Sequence, residues 1–474
     1  MIDMKALAKK QLVARGFDAV LPPAGDARSP LPDAGARDLR GLLWSSIDNR
    51  ESRDLDQVEV AEQLPGGNVR VLVGISDVDA LVPKGSPLDE HAARNTVTVY
   101  TGVATFPMLP EALSTDRSSL NQDQDRLSVV IEFVVAPDGS IASSDVYRAV
   151  LRNKARLSYE DLADFLDGKA GPPAQVAAVP GLPENLRLQD AAARKLLALR
   201  QQHGALQLET IEAQTVAVDG KVVDVKLSPK SRSKELIEDF MIAANGVMAE
   251  FLEKKGRSSI RRVVKEPERW PRLVELARGF GETLPAQPSG PALAAFLIKR
   301  RAAAPQQFAD LSLSVVKLLG PGEYDLKKAG ESAPGHFGLA VQDYTHSTAP
   351  NRRYADLVTQ RLVKAALAGA PAPYSDDELR TIAQRCTMKE GDARKVERFV
   401  RKAAAAILLQ PRIGQTFDAI VTGASPKGTF VRLLAPPAEG RVIRGEKGLD
   451  VGQSTRVKLL AADPEKGFID FERV

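Results

Sequence analysis

The order in which the chain changes its hydrophobic period is the feature that most limits its fold. Residues 69–78 and 127–135 are rich in β-branched residues, which indicates strands. From Ser158 onward, apolar residues recur at i, i+3 and i+4, notably in 186–202, 234–254 and 354–368, which predicts helices. The last stretch, of about 60 residues, returns to short β-rich runs divided by Gly, Pro and Asp. The sequence therefore predicts an α+β chain that ends in a small β-barrel.

Local signals refine this outline. Residues 4–15 predict a short helix that Gly16 stops, and the Pro- and Gly-rich stretch 21–38 predicts a linker. Ser158 is typical of a helix N-cap. Residues 376–409 predict one long helix or a close pair interrupted near Gly391.

Composition excludes several classes of site. The chain has 474 residues, enough for two to four domains, and a single cysteine, which excludes a disulfide framework and a cysteine-based zinc site. The four histidines form no metal-binding pair in sequence, so any metal is expected on carboxylates. No apolar run approaches the length of a membrane span and no secretory leader is recognisable, so we expect a cytoplasmic protein with no membrane partner.

Charge is divided unevenly along the chain. The net charge is +4, but residues 1–150 hold 15 Lys and Arg against 22 Asp and Glu, and the remainder holds 50 against 39. This asymmetry suits a cation site in the first third beside a surface that attracts polyanions. Chance variation among solvated faces explains it equally well.

An acidic stretch is the first candidate site. Residues 48–57 read Asp-Asn-Arg-Glu-Ser-Arg-Asp-Leu-Asp-Gln, immediately before a strand-like run. Oxygen ligands without cysteine or histidine suit Mg²⁺ or Mn²⁺, which can activate water for phosphodiester cleavage. A solvated acidic loop is the alternative.

A basic stretch at residues 344–356 is the second candidate site. Pro350 suits a helix start, and Arg352 and Arg353 would fall in the first turn, where the helix dipole already disfavours positive charge. A bound phosphate would explain this crowding. Pairing of the arginines with Asp343 and Asp356 is the alternative.

Six segments, in this order, resemble the ribonuclease II family of RNB-domain 3′→5′ exoribonucleases. They are residues 47–57, 71–78, 95–114, 236–245, 336–356 and 396–400. The resemblance implies an α+β fold: a short N-terminal helical segment with linker (1–38), an RNB catalytic domain with a mixed sheet surrounded by helices (39–410), and an S1-type OB-fold barrel (411–474). It further implies a Mg²⁺-dependent enzyme, with Mn²⁺ as a substitute, acting as a monomer. Such an enzyme hydrolyses single-stranded RNA from a free 3′ end to nucleoside 5′-monophosphates.

The resemblance also assigns residues. It implies a metal site at Asp48, Asp54, Asp56 and Gln57, and a catalytic set of Asp48, Asp54, Asp56, Arg352 and Glu397. For RNA contacts it implies Tyr100, Tyr159, Leu208, Glu238, Arg353, Tyr354 and, as a candidate in the barrel, Phe430.

Three departures from the family pattern stand out. Gln57 replaces the fourth aspartate of the acidic loop, which leaves a neutral, weaker ligand, with Asp77 as a conceivable substitute. Leu208 stands where an aromatic base clamp is usual. Only about 38 residues precede the resemblance, so we expect the two cold-shock domains usual in this family to be absent and processivity to be reduced.

Two other function classes stay open on the sequence. A catalytically impaired RNB-like protein that binds RNA would follow if Gln57 disables the metal site. A phosphorolytic exonuclease with an S1 domain would release nucleoside diphosphates instead.

Overall fold

The computed structural model describes residues 2–25, 35–209, 212–218, 221–228, 231–332, 334–425 and 428–474. The α-helices are α1 (Met4–Ala14), α2 (Pro87–Asn95), α3 (Tyr159–Leu166), α4 (Ala174–Ala177), α5 (Leu182–Gln202), α6 (Arg232–Lys254), α7 (Trp270–Gly279), α8 (Gly290–Ala303), α9 (Pro305–Leu319), α10 (Tyr354–Leu367) and α11 (Asp376–Leu409). The strands of the N-terminal half are β1 (Arg37–Asp38), β2 (Ser45–Asp48), β3 (Gln57–Gln63), β4 (Val69–Ser76), β5 (Val99–Tyr100), β6 (Thr105–Phe106), β7 (Asp125–Val135), β8 (Ile141–Arg152) and β9 (Ala155–Ser158). The later strands are β10 (Glu212–Val218), β11 (Lys221–Ser228), β12 (Ser259–Val263), β13 (Glu323–Lys327), β14 (Thr416–Ser425), β15 (Gly428–Leu433), β16 (Glu439–Arg444), β17 (Ser454–Asp463) and β18 (Phe468–Arg473).

A mixed sheet forms the centre of the large domain. Its strand order is β1-β8-β7-β4-β3-β2-β9, with β1 and β9 parallel to their neighbours and the other pairs antiparallel. The turn between β7 and β8 contains Pro137-Asp138-Gly139, and Gly139 adopts φ 88°, which a side chain would disfavour. Because β2 and β3 are neighbours in this sheet, the end of β2 and the start of β3 lie side by side.

The two faces of the sheet bury different clusters. Val58 and Val60 of β3 pack with Trp44 on one face, whereas Ala61 and the alternating residues of β4 contact the helices on the other. Strand side chains alternate between faces, so Gln57, Glu59 and Ala61 share the helix-covered face. Helices α3, α5 and α6 cover this face, and Phe240 of α6 meets Phe133 of β7 edge to face at 6.2 Å.

Helix α11 connects the large domain to the barrel. It has 34 residues, about 51 Å at the usual rise, and continues through Gly391 without a break. A capping box of Ser375 and Glu378 fixes its start. Its central part packs against α1, and Ala405, Ala406 and Leu409 near its end join the barrel core. The sequence expectation of one long helix is therefore confirmed, and the alternative of a pair is wrong.

The C-terminal strands close into a barrel with the order β14-β15-β16-β18-β17, as the sequence predicted for an OB fold. Lys317 Nζ donates to the Thr422 carbonyl at 2.8 Å, and Arg432 pairs with Asp310, so α9 holds the barrel to the large domain.

Other boundaries follow the sequence signals closely. The predicted helices at 4–15, 186–202, 234–254 and 354–368 correspond to α1, α5, α6 and α10, and the Ser158 side chain caps α3 by accepting from Asp161 N. Residues 26–34 of the predicted linker lie outside the described residues. Among the described residues no helix has both the length and the apolar character needed to cross a bilayer.

Helix α10 is anchored by a buried arginine. The Arg361 guanidinium, 3% exposed, donates to Asp79 Oδ1 at 2.9 Å, Asp89 Oδ1 at 2.7 Å and the Tyr374 hydroxyl at 2.7 Å. These partners belong to the turn after β4, to α2 and to the segment before α11. Arg361 therefore fixes where α10 begins relative to the sheet.

We expect Arg361→Met to lower the free energy of unfolding by about 3–5 kcal/mol, because it leaves the buried Asp89 carboxylate without its cation, whereas Asp79 keeps Lys364. Urea denaturation measures this loss. The control is Arg380→Met on α11, whose exposed pair with Asp377 should contribute less than about 1 kcal/mol. Equal losses in the two variants would contradict the anchoring role.

Candidate active site

The acidic loop is a hairpin connection in the sheet. Strand β2 ends at Asp48 and β3 begins at Gln57, so residues 49–56 form the loop between them. The Leu55 amide donates to Ser119 Oγ, and the Ser76 amide donates to the Asp56 carbonyl, both at 3.0 Å. The loop backbone is therefore held to the end of β4 and to the segment before β7, which restrains the part of the loop that carries Asp54 and Asp56.

Asp56 meets the basic segment. Its Oδ1 accepts a hydrogen bond from the Asn351 amide at 3.1 Å, and its Oδ2 lies 3.2 Å from Arg352 Nε. Asn351 is itself held by Ser118, whose hydroxyl donates to Asn351 Oδ1 at 2.6 Å. The two candidate sites of the sequence therefore form one site.

Burial makes this pair electrostatically unusual. Asp56 is 1% exposed, and burial raises its pKa to about 7, an increase that Arg352 partly offsets. Oδ2 is buried and accepts no hydrogen bond from the part of the chain that the structure describes. The Arg352 side chain, in contrast, is 41% exposed, so part of its guanidinium is open to a ligand.

Tyr100 joins two acids to the site. Its hydroxyl donates to Asp54 Oδ2 at 3.0 Å, and its amide donates to Glu397 Oε1 of α11 at 3.3 Å. The residue is 42% exposed, so a face of the ring is available for stacking. Tyr100 thus contacts both Asp54 and Glu397.

Asp48 and Tyr159 extend the site along the sheet edge. Asp48 pairs in register with Ser158, the residue before Tyr159. Burial raises the pKa of Asp48, while Arg352 opposes the rise. Burial and the Asp48 and Glu59 carboxylates together raise the pKa of the Tyr159 hydroxyl.

The donor set fits a hard cation. Asp48, Asp54 and Asp56 supply oxygens, Gln57 is a buried neutral neighbour, and the buried Oδ2 of Asp56 has no hydrogen bond to any described residue. In the described residues no three His, Cys, Asp or Glu side chains already surround a common point. A cation would therefore have to draw these carboxylates together.

Two residues that the resemblance assigns to RNA contacts have partners within the protein. Arg353 donates from Nε and Nη2 to Asp356 at 2.8 and 2.6 Å, as the local-pairing alternative for the arginines predicted. Tyr354 is 3% exposed in the main core, and its amide donates to the Thr96 carbonyl. Tyr354 opens α10 with its side chain buried, and the RNA contacts of Arg353 and Tyr354 stay predictions.

The other residues predicted to contact RNA lie outside the group formed by Asp56, Arg352, Tyr100 and their partners. Glu238 is exposed on α6, one turn after Lys234, whose ammonium lies 5.9 Å from the centroid of the Tyr159 ring. Leu208 packs against the hydrophobic cluster around Trp270, so it has a packing role, and its RNA contact stays a prediction.

Phe430 and Phe417 of the barrel differ in position. Phe430 is half-buried, with Lys402 Nζ of α11 at 5.6 Å from the ring centroid, so its stacking role also stays a prediction. Phe417 belongs to the barrel core.

Sequence reasoning did not predict the roles of several residues. Asn351 was not among the predicted site residues, yet its backbone amide donates to Asp56. Segment 96–98 pairs with 352–354 through Thr98 N to the Arg352 carbonyl and Tyr354 N to the Thr96 carbonyl. These backbone contacts carry no sequence signal, because any residue type can make them.

Comparison with known proteins places the chain. The RNB domain model matches residues 36–369, and the model of the RNase II-type exonuclease C-terminal S1 domain matches residues 415–474. Ribonuclease R 1 of Lactococcus lactis is 27% identical over 99% of this chain, and ribonuclease R of Aquifex aeolicus is 29% identical over 92%. The chain spans 60% and 65% of the length of these two relatives.

A solved structure agrees in fold. The structure of Mycoplasma genitalium RNase R in complex with ribose methylated single-stranded RNA matches with a TM-score of 0.88. The match covers 100% of this chain and 78% of that one at 23% identity. It confirms the α+β architecture with its C-terminal barrel.

The buried Asp56 generates a test in metal-free protein. Because folding raises its pKa, ionised Asp56 destabilises the native state; this cost is absent below about pH 4 and complete above about pH 7. Between about pH 4 and about pH 7, we expect the free energy of unfolding of Asp56→Asn to rise relative to that of wild type. The expected rise is at least about 1.4 kcal/mol, the equivalent of one pKa unit. Urea denaturation in EDTA at pH 4.5 and 8 measures it, with the exposed Asp450→Asn as control. A pH-independent difference contradicts the prediction.

Proposed function

The chain belongs to the RNB-domain family, and from that premise we propose that it is a hydrolytic 3′→5′ exoribonuclease. Its substrate would be single-stranded RNA and its product nucleoside 5′-monophosphates. The observation that carries the proposal is a set of contacts, Arg352 with Asp56 and Tyr100 with both Asp54 and Glu397, which brings carboxylates, a guanidinium and an exposed aromatic ring into one region.

Arg352 is the group that would bind the scissile phosphate. Its fork of N–H donors suits phosphate oxygens, and it is exposed enough to reach them while Asp56 restrains it. In a partly water-excluded site, such a positioned cation stabilises the negative charge that develops on the phosphate during hydrolysis. Arg353 cannot share this task, because Asp356 holds it.

The carboxylates would hold a divalent cation. Asp48, Asp54 and Asp56 are the ligands the chain offers, with Gln57 as a neutral neighbour. When bound, such an ion lowers the pKa of a water molecule and neutralises charge on the phosphate. Tyr100 would orient Asp54 through its hydroxyl.

The 3′ end of the RNA would be recognised by base stacking and by contacts to the terminal ribose. A base can stack on the exposed face of Tyr100, an interaction of about 1–3 kcal/mol that tolerates any base. Glu397 lies at the Tyr100 amide and is placed to accept from hydroxyls of the terminal ribose. Both contacts favour a free 3′ end over an internal position.

An impaired enzyme that only binds RNA is the second candidate. Gln57 favours it, because replacing a carboxylate with an amide lowers the charge available to the cation. Asp77 does not compensate: Lys364 Nζ lies 2.7 Å from Asp77 Oδ1, and Arg148 lies 3.5 Å from Oδ2.

We expect 5′-labelled oligo(A) to shorten one nucleotide at a time in Mg²⁺ or Mn²⁺, and uniformly labelled oligo(A) to yield AMP. EDTA should abolish the reaction and phosphate should not affect it. Asp56→Asn should slow it by about 100-fold or more, because it removes a carboxylate at the reacting centre. ADP formed only with phosphate would indicate phosphorolysis, and RNA binding without any product would favour the impaired protein.

Arg352→Lys should lower kcat by about 10- to 100-fold, because lysine keeps the charge and loses the two-pronged geometry. Single-turnover digestion of oligo(A) measures the change. The control is Arg40→Lys, which pairs with Asp38 and Asp125 near β1 and should leave kcat unaltered. Equal rates for Arg352→Lys and wild type would overturn the role of Arg352.

A further inference from the structure

Glu59 is a buried carboxylate that the proposed mechanism does not use. It is 0% exposed, and neither of its carboxylate oxygens has a hydrogen-bond partner among the described residues. An isolated ionised carboxylate in the interior is very costly unless a proton or a cation compensates it. The chain therefore keeps at this position a group that needs a partner.

The strand register brings Glu59 to the acidic loop. Gln57 and Glu59 are alternate residues of β3, so their side chains point to the same face about 7 Å apart along the strand. Glutamate has one more methylene than aspartate and can reach back along the strand toward position 57. Its cross-strand partner is Ser45, three residues before Asp48.

The surroundings of Glu59 are polar but unsatisfied. The hydroxyl of Ser45, which is also 0% exposed, has no hydrogen-bond partner among the described residues. Asp48 ends β2, the strand on which Ser45 pairs with Glu59. A buried hydroxyl and a buried carboxylate, each without a described partner, therefore lie opposite each other on the strands that lead to the acidic loop.

Other acidic residues in the same region have basic partners, unlike Glu59. Glu62, three residues further along β3, lies 2.7 Å from Arg70, and Asp77 is held by Lys364. Among these acids Glu59 alone lacks a described basic partner, although it is the most deeply buried.

We propose that Glu59 is a ligand of the divalent cation and supplies the carboxylate that Gln57 lacks. This inference rests on the proposed metal-dependent function. The ligand set then becomes Asp48, Asp54, Asp56 and Glu59, with the same number of carboxylates as a four-aspartate loop but with one displaced by two residues along β3.

Mn²⁺ affinity measured without RNA tests the inference, by calorimetry or by the electron paramagnetic resonance signal of free Mn²⁺. We expect Glu59→Gln to weaken binding by about tenfold or more, because affinity follows the ligand charge. Glu62→Gln is the control on the same strand and should bind within about twofold of wild type. The double variant Gln57→Asp/Glu59→Gln should recover to within about threefold, because it returns the carboxylate to position 57. Wild-type affinity in Glu59→Gln would overturn the proposal.

Crystals of the unaltered protein grown with Mn²⁺ give an independent answer that does not depend on how a variant folds. Anomalous density within bonding distance of a Glu59 oxygen supports the proposal, and an ion held by the aspartates without Glu59 overturns it.

The two proposals can fail separately. AMP release by wild type together with undiminished Mn²⁺ binding by Glu59→Gln would refute the role of Glu59 and leave the exonuclease standing. Mn²⁺ binding that depends on Glu59, without any AMP release, would refute the exonuclease and leave the site.

Discussion

The contact between Asp56 and the segment Asn351–Arg352 is the constraint on which the rest of the site depends. It joins residues 295 positions apart in sequence and places a buried carboxylate against a backbone amide and a guanidinium. Burying that carboxylate opposes folding, because the charge loses its hydration. The fold must therefore fix both sides of the contact, and much of the architecture around it does so.

Each side has its own support. The loop 49–56 is held by Ser119 and β4, and the start of α10 is held by Arg361 and by the pairing of 96–98 with 352–354. Helix α11 brings Glu397 to Tyr100 and is itself backed by α1 through Val396 and Val400. The N-terminal helix thus contributes to the site without carrying any of its chemistry.

Neighbouring residues of the same type have opposite roles for geometric reasons. Arg352 precedes the N-cap of α10, and its side chain lies beside Asp56. Arg353 is the N-cap residue, and its side chain pairs with Asp356 in the first helical turn. Asp77 and Glu59 differ in the same way: both are buried near the loop, but only Asp77 lies beside a lysine. Side-chain direction, which depends on backbone position, decides which charge remains available for a ligand.

The sequence by itself determined the periods of the main elements, the barrel, the acidic loop and the identity of Arg352, because hydrophobic spacing and charge type are local properties. It could not decide which of Arg352 and Arg353 pairs with Asp356, show that Tyr354 is buried, or show that Asp77 has a lysine partner while the Glu59 carboxylate has no hydrogen-bond partner among the described residues. Those outcomes depend on which distant groups the fold brings within hydrogen-bond distance. Only the tertiary structure decides them, because the cost of a buried charge depends on its partners in space and not on its neighbours in the chain.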